Sequence, residues 1–190
     1  KVRIQIHRQK EGSYRISYRW DISSPFVSFI KNSDPLMRKK WKIAEPEFRL
    51  RRIDGRDVIE RKDAQLFNRF TLLYHHESVR SVSGQPLSVA FSDDSQFLCT
   101  HHFAVHFRKN DKRYPTNNLF TFSSAIDNWF VANGKIYSEE GYYLQRDGTS
   151  DQTDHYLYFA KEKPIFKDKL MLNIDSSLPS YIYQRMMSEI

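Results

Sequence analysis

Alternation of apolar and polar side chains is the feature that most constrains the fold of this sequence. Between residues 14 and 22 every second residue is apolar, and the positions between them hold Arg15, Ser17, Arg19 and Asp21. A period of two is that of a β-strand with one buried face. We therefore expect one strand face to be formed by Tyr14, Ile16, Tyr18, Trp20 and Ile22. Val2, Ile4 and Ile6 alternate with polar residues in the same way.

Two dipeptides predict tight hairpins. Asp54-Gly55 lies between extended runs at 48–53 and 56–61, and Asn133-Gly134 separates 129–131 from 136–137. Asp-Gly and Asn-Gly favour two-residue hairpin turns because both central residues need positive φ. The same reasoning predicts further strands at Leu66–His75, Leu87–Phe91, Phe97–Phe107, Tyr142–Gln145, Tyr156–Ala160 and Lys169–Ile174.

These short strands, with turns between them and no long helical period, predict an all-β fold. We expect an antiparallel sandwich or a saddle-like sheet assembly over residues 1–175. A helix is predicted to begin within 176–190, after Ser176-Ser177 and with Pro179 in its first turn. The pattern reaches the last residue without a stop signal, and the first residue is Lys1. We therefore expect a piece of a longer protein, with a following domain.

Charge is unevenly distributed along the chain. The net charge is +7, and the whole excess lies in residues 1–95, which hold nineteen basic and twelve acidic residues. Between Arg38 and Arg69, however, the two signs are interleaved. Acidic residues within a phosphate-binding stripe would cancel its contacts, so nucleic acid is not the expected partner. A basic surface that binds another anionic polymer stays a separate hypothesis, and steep salt dependence would identify it.

Composition excludes several other classes. The single cysteine, Cys99, permits no internal disulfide and no cysteine-ligated zinc, and a small buried hydrophobic role is expected for it. No run approaches the eighteen or so apolar residues of a membrane-spanning helix. A chain without a disulfide-capable pair suits a periplasmic or secreted location, and equally a cytoplasmic one.

The candidate metal-binding and catalytic motifs of this sequence are all incomplete. His101, His102 and His106 would need partners such as His75 or His155 to form a zinc site, so we interpret them as a polar strand face. The His76–Arg80 segment begins like His-Glu-x-x-His but ends in arginine. The acidic positions in 147–154 do not follow an EF-hand, so an exposed loop is expected there. We therefore predict no catalytic residue, metal site or cofactor.

Aromatic content leaves a second functional class open. Fourteen Phe, eleven Tyr and three Trp are typical of a strand-rich core. Exposed tryptophans would instead form a sugar-binding platform, so a stand-alone module for carbohydrate or a protein partner is the alternative. The two cases are distinguished by the burial of Trp20, Trp41 and Trp129.

Three stretches together resemble the N-terminal β domain of the gluzincin-type zinc metallopeptidases, the group that includes leukotriene-hydrolase-like and glycyl-aminopeptidase-like enzymes. The first is FRLRRIDGRDVI at 48–59, followed by FNRFTL at 67–72. The second is FSDDSQFLCTHHF at 91–103. The third is LNIDSSLPSYI at 172–182, which is similar to the segment that leads into the catalytic domain of that group.

The resemblance implies a domain without its own catalytic machinery. In the gluzincins the β domain lies beside a separate domain that carries His-Glu-x-x-His and a downstream glutamate, and neither motif is present in this chain. It implies that the partner of this chain is the catalytic domain of the same polypeptide, with a role in supporting that domain and shaping its cleft. A protein or peptide ligand is a further expected partner.

Overall fold

Strands account for nearly all the regular structure in the described part of this chain. A computed structural model describes residues 1–30, 38–76, 79–80, 86–91, 93–109, 112–114, 116–125, 129–132, 135–138, 143–145, 156–160, 164–167, 170–172 and 180–189. Within these residues the strands are β1 (Val2–Arg8), β2 (Tyr14–Ser24), β3 (Phe26–Phe29), β4 (Trp41–Ile43), β5 (Phe48–Ile53), β6 (Arg56–Arg61), β7 (Phe67–Tyr74), β8 (Val79–Arg80), β9 (Pro86–Ala90), β10 (Gln96–Cys99), β11 (Val105–Lys109), β12 (Lys112–Tyr114), β13 (Asn118–Ser124), β14 (Trp129–Ala132), β15 (Lys135–Ser138), β16 (Tyr143–Gln145), β17 (Tyr156–Ala160), β18 (Ile165–Lys167) and β19 (Leu170–Leu172).

The strands form three larger sheets and one two-stranded sheet. Sheet I has the order β16-β13-β1-β2-β7-β4, and sheet II has the order β12-β11-β3-β6-β5. Sheet III has the order β15-β14-β17-β10-β9-β8, while β18 pairs only with β19. A helix, α1 (Ser180–Glu189), ends the described chain. No helix of the described ranges has the length and apolar character needed to cross a bilayer. The all-β prediction with a short C-terminal helix is confirmed.

One aromatic core joins the three larger sheets. Sheet I turns its alternating apolar face inward, and Ile4, Ile16 and Leu72 are fully buried. Tyr18 and Phe70, from neighbouring strands, stack with ring centres 4.2 Å apart and 8° between their planes. The same cluster includes buried residues of sheets II and III. Apolar burial of this kind is the main stabilising term of such a fold.

Polar side chains fasten the sheets to one another. The buried Asn118 side chain of sheet I accepts a hydrogen bond from the Val105 backbone N–H of sheet II at 3.0 Å and donates to the Val105 carbonyl at 3.1 Å. On the other side, the Tyr14 hydroxyl donates to Gln96 Oε1 of sheet III at 2.8 Å. These hydrogen bonds satisfy buried polar groups at the contacts between the sheets.

The hairpin predictions agree with the structure. Residues 48–53 pair with 56–61, and Asp54 and Gly55 have φ of 49° and 74°. Residues 129–132 pair with 135–138, although Asn133 and Gly134 themselves lie outside the described residues. The predicted caps at 176–179 also lie outside them, and the domain boundary at residue 175 stays a prediction.

Two details of strand pairing correct the sequence prediction. Strands β1 and β13 pair in parallel, so the assembly is not wholly antiparallel. Ile22, expected on the buried face, is 82% exposed. The reason is a register shift between β2 and β7, where the residues from Arg19 to Ser24 lie opposite only Arg69 to Phe67. This bulge carries Ile22 away from the core.

The predicted single strand Phe97–Phe107 is also wrong. A 3₁₀ helix, Thr100–Phe103, separates β10 in sheet III from β11 in sheet II. The chain crosses between two sheets here and is covered on both sides, so 102–106 is buried without interruption. The Tyr18 hydroxyl donates to the Phe103 carbonyl at 2.9 Å inside this crossing.

Candidate functional site

The histidines singled out in the sequence do not form one site. His102 lies in the 3₁₀ helix and His106 in β11, and both are buried, with 8% and 2% of their surfaces exposed. The crossing between sheets therefore separates residues expected to share one strand face. His155 and the side chain of His101 lie outside the described residues. Across the part of the chain that is described, no three metal-ligating side chains come together.

His76 has a structural role rather than that of a zinc-peptidase histidine. It follows β7 and is buried, and its Nε2 lies 2.9 Å from the Val89 carbonyl of sheet III. The pKa of His76 is lowered to about 4, chiefly by burial; the nearby charges of Arg8 and His75 contribute to the lowering, whereas the hydrogen bond to Val89 opposes it. The ring is therefore neutral near pH 7. Residues 77–78 of that segment lie outside the described ranges, as does the exposed loop predicted at 147–154.

The aromatic and cysteine predictions agree with the structure wherever it describes them. Trp20 and Trp41 are 2% and 8% exposed, so neither can form a sugar-binding platform. Cys99 is buried, as expected of a small hydrophobic residue. The side chain of Trp129 lies outside the description.

Opposite charges in the 49–63 hairpin region neutralise one another. Glu60 receives hydrogen bonds from Arg49 at 2.7 Å and from Arg51 at 3.0 Å. Burial alone would raise the pKa of Glu60, but these bonds and charges hold it below its usual value. The fully buried Asp57 side chain pairs with Arg38 at 2.8 Å. Glu60 and Asp57 of this hairpin are thus each paired with arginines of the same domain.

Unbalanced positive charge lies instead on the outer face of sheet I. Arg3 is opposite Arg19 in the register of β1 and β2, and Arg19 is opposite Arg69 in the register of β2 and β7. All three are exposed. We call Arg3, Arg19 and Arg69 the arginine row. Arg15 and Lys42 are exposed at neighbouring positions of the same face.

The arginine row is closely spaced. Thr71 turns its backbone toward the β4 side, because its carbonyl accepts from Ala44 N–H and its N–H donates to Glu45 Oε2. Arg69 is two residues away in the same strand, so its backbone N–H and carbonyl also point toward the β4 side and away from β2. Arg69 and Arg19 therefore form a non-hydrogen-bonded pair, in which the Cα atoms lie about 4.5 Å apart. Like charges placed directly opposite each other destabilise a sheet. The row therefore represents a cost to folding.

Only one end of the row has a counter-ion within the described ranges. Arg3 Nη1 donates to Asp21 Oδ1 at 3.1 Å, and both side chains are largely exposed. No acidic side chain among the described residues contacts Arg19 or Arg69. The guanidinium groups of Arg19 and Arg69 are thus exposed and accessible to an external anion, and the Asp21 contact shows that a carboxylate fits this face.

A cavity of about 510 Å³ begins where the row ends, beside Arg69. Strand β4 pairs with β7 only at residues 72–74, so none of the described strands lies on that side of the first half of β7. The buried rings of Phe48 and Phe67 line the cavity, and Leu66, 61% exposed, also contributes to its wall. The cavity is therefore partly apolar and directly continues the arginine row.

Two of the charged side chains that line the cavity, Arg61 and Glu45, are already engaged. Arg61 donates from Nε and Nη2 to the two carboxylate oxygens of Asp63, at 2.9 and 2.6 Å. This hydrogen bonding holds the pKa of Asp63 at about 2. The Arg61 guanidinium carbon also lies 5.8 Å from the centre of the Phe48 ring. Glu45 is held by the Thr71 N–H described above. Arg69 is consequently the cation of this wall that lacks a carboxylate among the described residues.

Comparison with known proteins gives a structural relationship and no sequence relationship. No family model matches the chain, and no curated protein matches it in sequence. A crystal structure of an aminopeptidase N family protein from Idiomarina loihiensis superposes with a TM-score of 0.55 at 7% identity. The match covers 90% of this chain and corresponds to the N-terminal third of that protein.

The fold of this chain resembles the N-terminal third of an aminopeptidase N family protein. Aminopeptidase N family proteins are gluzincins, so the resemblance expected from the sequence motifs is confirmed at the level of fold. This chain spans 31% of the length of the matched aminopeptidase. At 7% identity the likeness concerns the fold alone.

Sequence reasoning did not find the arginine row. Its signal was present, because Arg15 and Arg19 occupy the polar positions of an alternating strand. That signal places each arginine on the outer face of its own strand. The neighbours of a strand depend on long-range register, however, and 50 positions separate Arg19 from Arg69.

Proposed function

We propose that this chain is a noncatalytic N-terminal β domain of a larger zinc-metallopeptidase-like protein. Its role is to support the catalytic domain of the same polypeptide and to shape one wall of that domain's substrate cleft. The observation that carries the proposal is the fold match, which covers nearly all of this chain but under a third of the aminopeptidase N family protein. A periplasmic or secreted location is proposed with it.

The order of the sequence motifs supports the same proposal. The hairpin at 48–59 and the segment 91–103 belong to sheets that contribute to one core. Helix α1 begins at Ser180, within the third motif. A reactive centre would therefore lie in another domain, while this one contributes a rigid wall.

The alternative, a stand-alone binding module, divides into two cases. The carbohydrate version rested on exposed tryptophans, and the burial of Trp20 and Trp41 removes two of its three platform residues. The protein-binding version is favoured by the exposed arginine row and the cavity beside it.

The coding sequence downstream of the Ile190 codon tests the proposal. We expect it to encode a His-Glu-x-x-His motif followed by a downstream glutamate within roughly two hundred residues, the size of one or two typical domains. Zinc bound in a 1:1 ratio by the complete gene product, and lost when the first histidine of that motif is replaced, would agree with it. A reading frame that closes without this motif would refute it.

A further inference from the structure

Two neighbouring features of sheet I have complementary chemistry. The arginine row presents guanidinium groups that point outward from three adjacent strands. Beyond Arg69, on the side of β7 that β4 leaves open, lies the cavity lined by Phe48 and Phe67. A ligand that lies across the strands meets positive charge first and an apolar cavity next.

We propose that this surface binds an acidic, extended polypeptide segment that carries an apolar residue at one end. Carboxylates of the segment pair with Arg19 and Arg69, and its apolar side chain enters the cavity against Phe48 and Phe67. Neighbouring strands are about 4.8 Å apart, so the row extends over about 10 Å. A segment of three or four extended residues covers that distance at about 3.3 Å per residue.

Charge complementarity identifies the ligand as a carboxylate. Guanidinium groups bind carboxylates with short, charge-assisted and often bidentate hydrogen bonds. On this face the chain's own Asp21 forms one hydrogen bond with Arg3, at 3.1 Å. Repulsion between the arginines of the row also lowers the stability of the sheet, and neutral residues at these positions would avoid it. An anionic partner would relieve that repulsion.

A phosphate polymer fits the same surface less well. Glu45 and Glu47 line the cavity, so a phosphate chain that continued from the arginines into it would bring charged groups against these carboxylates, whereas the proposed peptide places an uncharged end there. Each acidic group cancels part of the counter-ion release that drives such binding. The buried phenylalanines of the cavity match an apolar side chain rather than a ribose-phosphate.

Direct binding to the complete gene product tests this proposal. The probe is a fluorescein-labelled peptide, Glu-Asp-Glu-Asp-Leu-Phe-amide, titrated in fluorescence anisotropy at low salt. Two companion probes separate the contributions: Gln-Asn-Gln-Asn-Leu-Phe-amide lacks the carboxylates, and Glu-Asp-Glu-Asp-Ser-Ser-amide lacks the apolar end. We expect each companion to bind at least about tenfold more weakly, the loss that corresponds to one or two charge-assisted or apolar contacts.

A pair of matched variants locates the site. Arg19→Gln with Arg69→Gln removes two charges from the row, whereas Arg49→Gln with Arg51→Gln removes two charges from β5. Both sets are exposed, so folding is retained and can be verified by circular dichroism. We expect the first double variant to weaken peptide binding about tenfold or more and the second to change it less than about twofold.

Three results would overturn the proposal. These are the absence of measurable binding, equal weakening by the two double variants, and tighter binding of a six-nucleotide single-stranded DNA than of the acidic peptide. The first two would mean that the row is not a specific site, and the third would assign it to a phosphate polymer. None of these measurements uses peptidase activity, and the comparison of the two double variants assigns the binding to the arginine row, so failure of this proposal is distinguishable from failure of the proposed function.

Discussion

At the scale of single residues, burial was predictable and charge pairing was not. The side chains of Tyr14, Ile16, Tyr18 and Trp20 are buried as their alternation indicates, because a strand's pleat is a local property. Arg19, on the opposite face, is surrounded by residues distant in sequence. Its neighbours Arg3 and Arg69 come from strands whose register depends on the whole sheet.

Removing the central arginine of the row should stabilise the protein. Arg19→Thr eliminates a like charge between Arg3 and Arg69 and introduces a residue that favours strands. We expect the free energy of unfolding to rise by about 0.5 kcal/mol in urea titrations at low salt. Arg51→Thr is the matched control, because Arg51 already pairs with Glu60. A gain equal to or smaller than that of the control would contradict the electrostatic account of the row.

His76 should make stability depend on pH. Its pKa is about 4 in the folded protein and 6.5 when unperturbed, so the unfolded chain takes up the proton first. Burying the neutral His76 ring therefore contributes its full share to the free energy of unfolding above about pH 6.5. This contribution, roughly 3 kcal/mol, is lost as the pH falls toward 4. Urea unfolding between pH 7 and 4 measures the loss. In His76→Gln this decrease in the free energy of unfolding between pH 7 and 4 should disappear. An unchanged decrease would exclude His76 as its source.

At the scale of elements, alternation and turn signals predicted many of the described strands. They did not predict β3, β4, β8, β12, β13 and β18, nor the places where the chain changes sheet. The run at 97–107 was predicted as one strand because it is rich in apolar residues. A segment that crosses between two sheets is buried on all sides, so its composition resembles that of a strand although its backbone forms a 3₁₀ helix. Bulges such as the one at Ile22 are equally invisible to a count of alternating residues.

Asn118 should be essential to the junction between sheets I and II. Its side chain bonds the N–H and carbonyl of Val105 and the carbonyl of Thr116, and it is 2% exposed. In Asn118→Ala these buried backbone groups lose their partner, which should cost about 3 kcal/mol in the free energy of unfolding.

Thermal or urea unfolding measures the effect of the Asn118 substitution. Ser123→Ala is the control on the same strand, since Ser123 is only partly buried and bonds the side chain of His7. We expect that control to lose less than about 1 kcal/mol. Equal losses in the two variants would show that the Asn118 bridge adds nothing specific.

At the scale of the whole molecule, the relationship to a known architecture was predictable from three ordered motifs although overall identity is only 7%. The motifs contain a hairpin, a turn before a strand and the beginning of a helix, all of which are constrained by local geometry. The candidate interaction surface was not predictable in this way, because it is formed by residues from β1, β2, β7 and the β4–β5 connection that meet only in the folded chain.

We propose that this chain supports peptidase chemistry located elsewhere in its polypeptide. The most direct measurement is hydrolysis of aminoacyl-p-nitroanilides by the complete gene product, with and without a chelator and with the glutamate of the downstream His-Glu-x-x-His replaced by glutamine. We predict zinc-dependent release of p-nitroaniline, at a rate that falls by at least about a hundredfold in the glutamine variant. A complete product without hydrolysis, or hydrolysis that survives both chelation and this substitution, would contradict it.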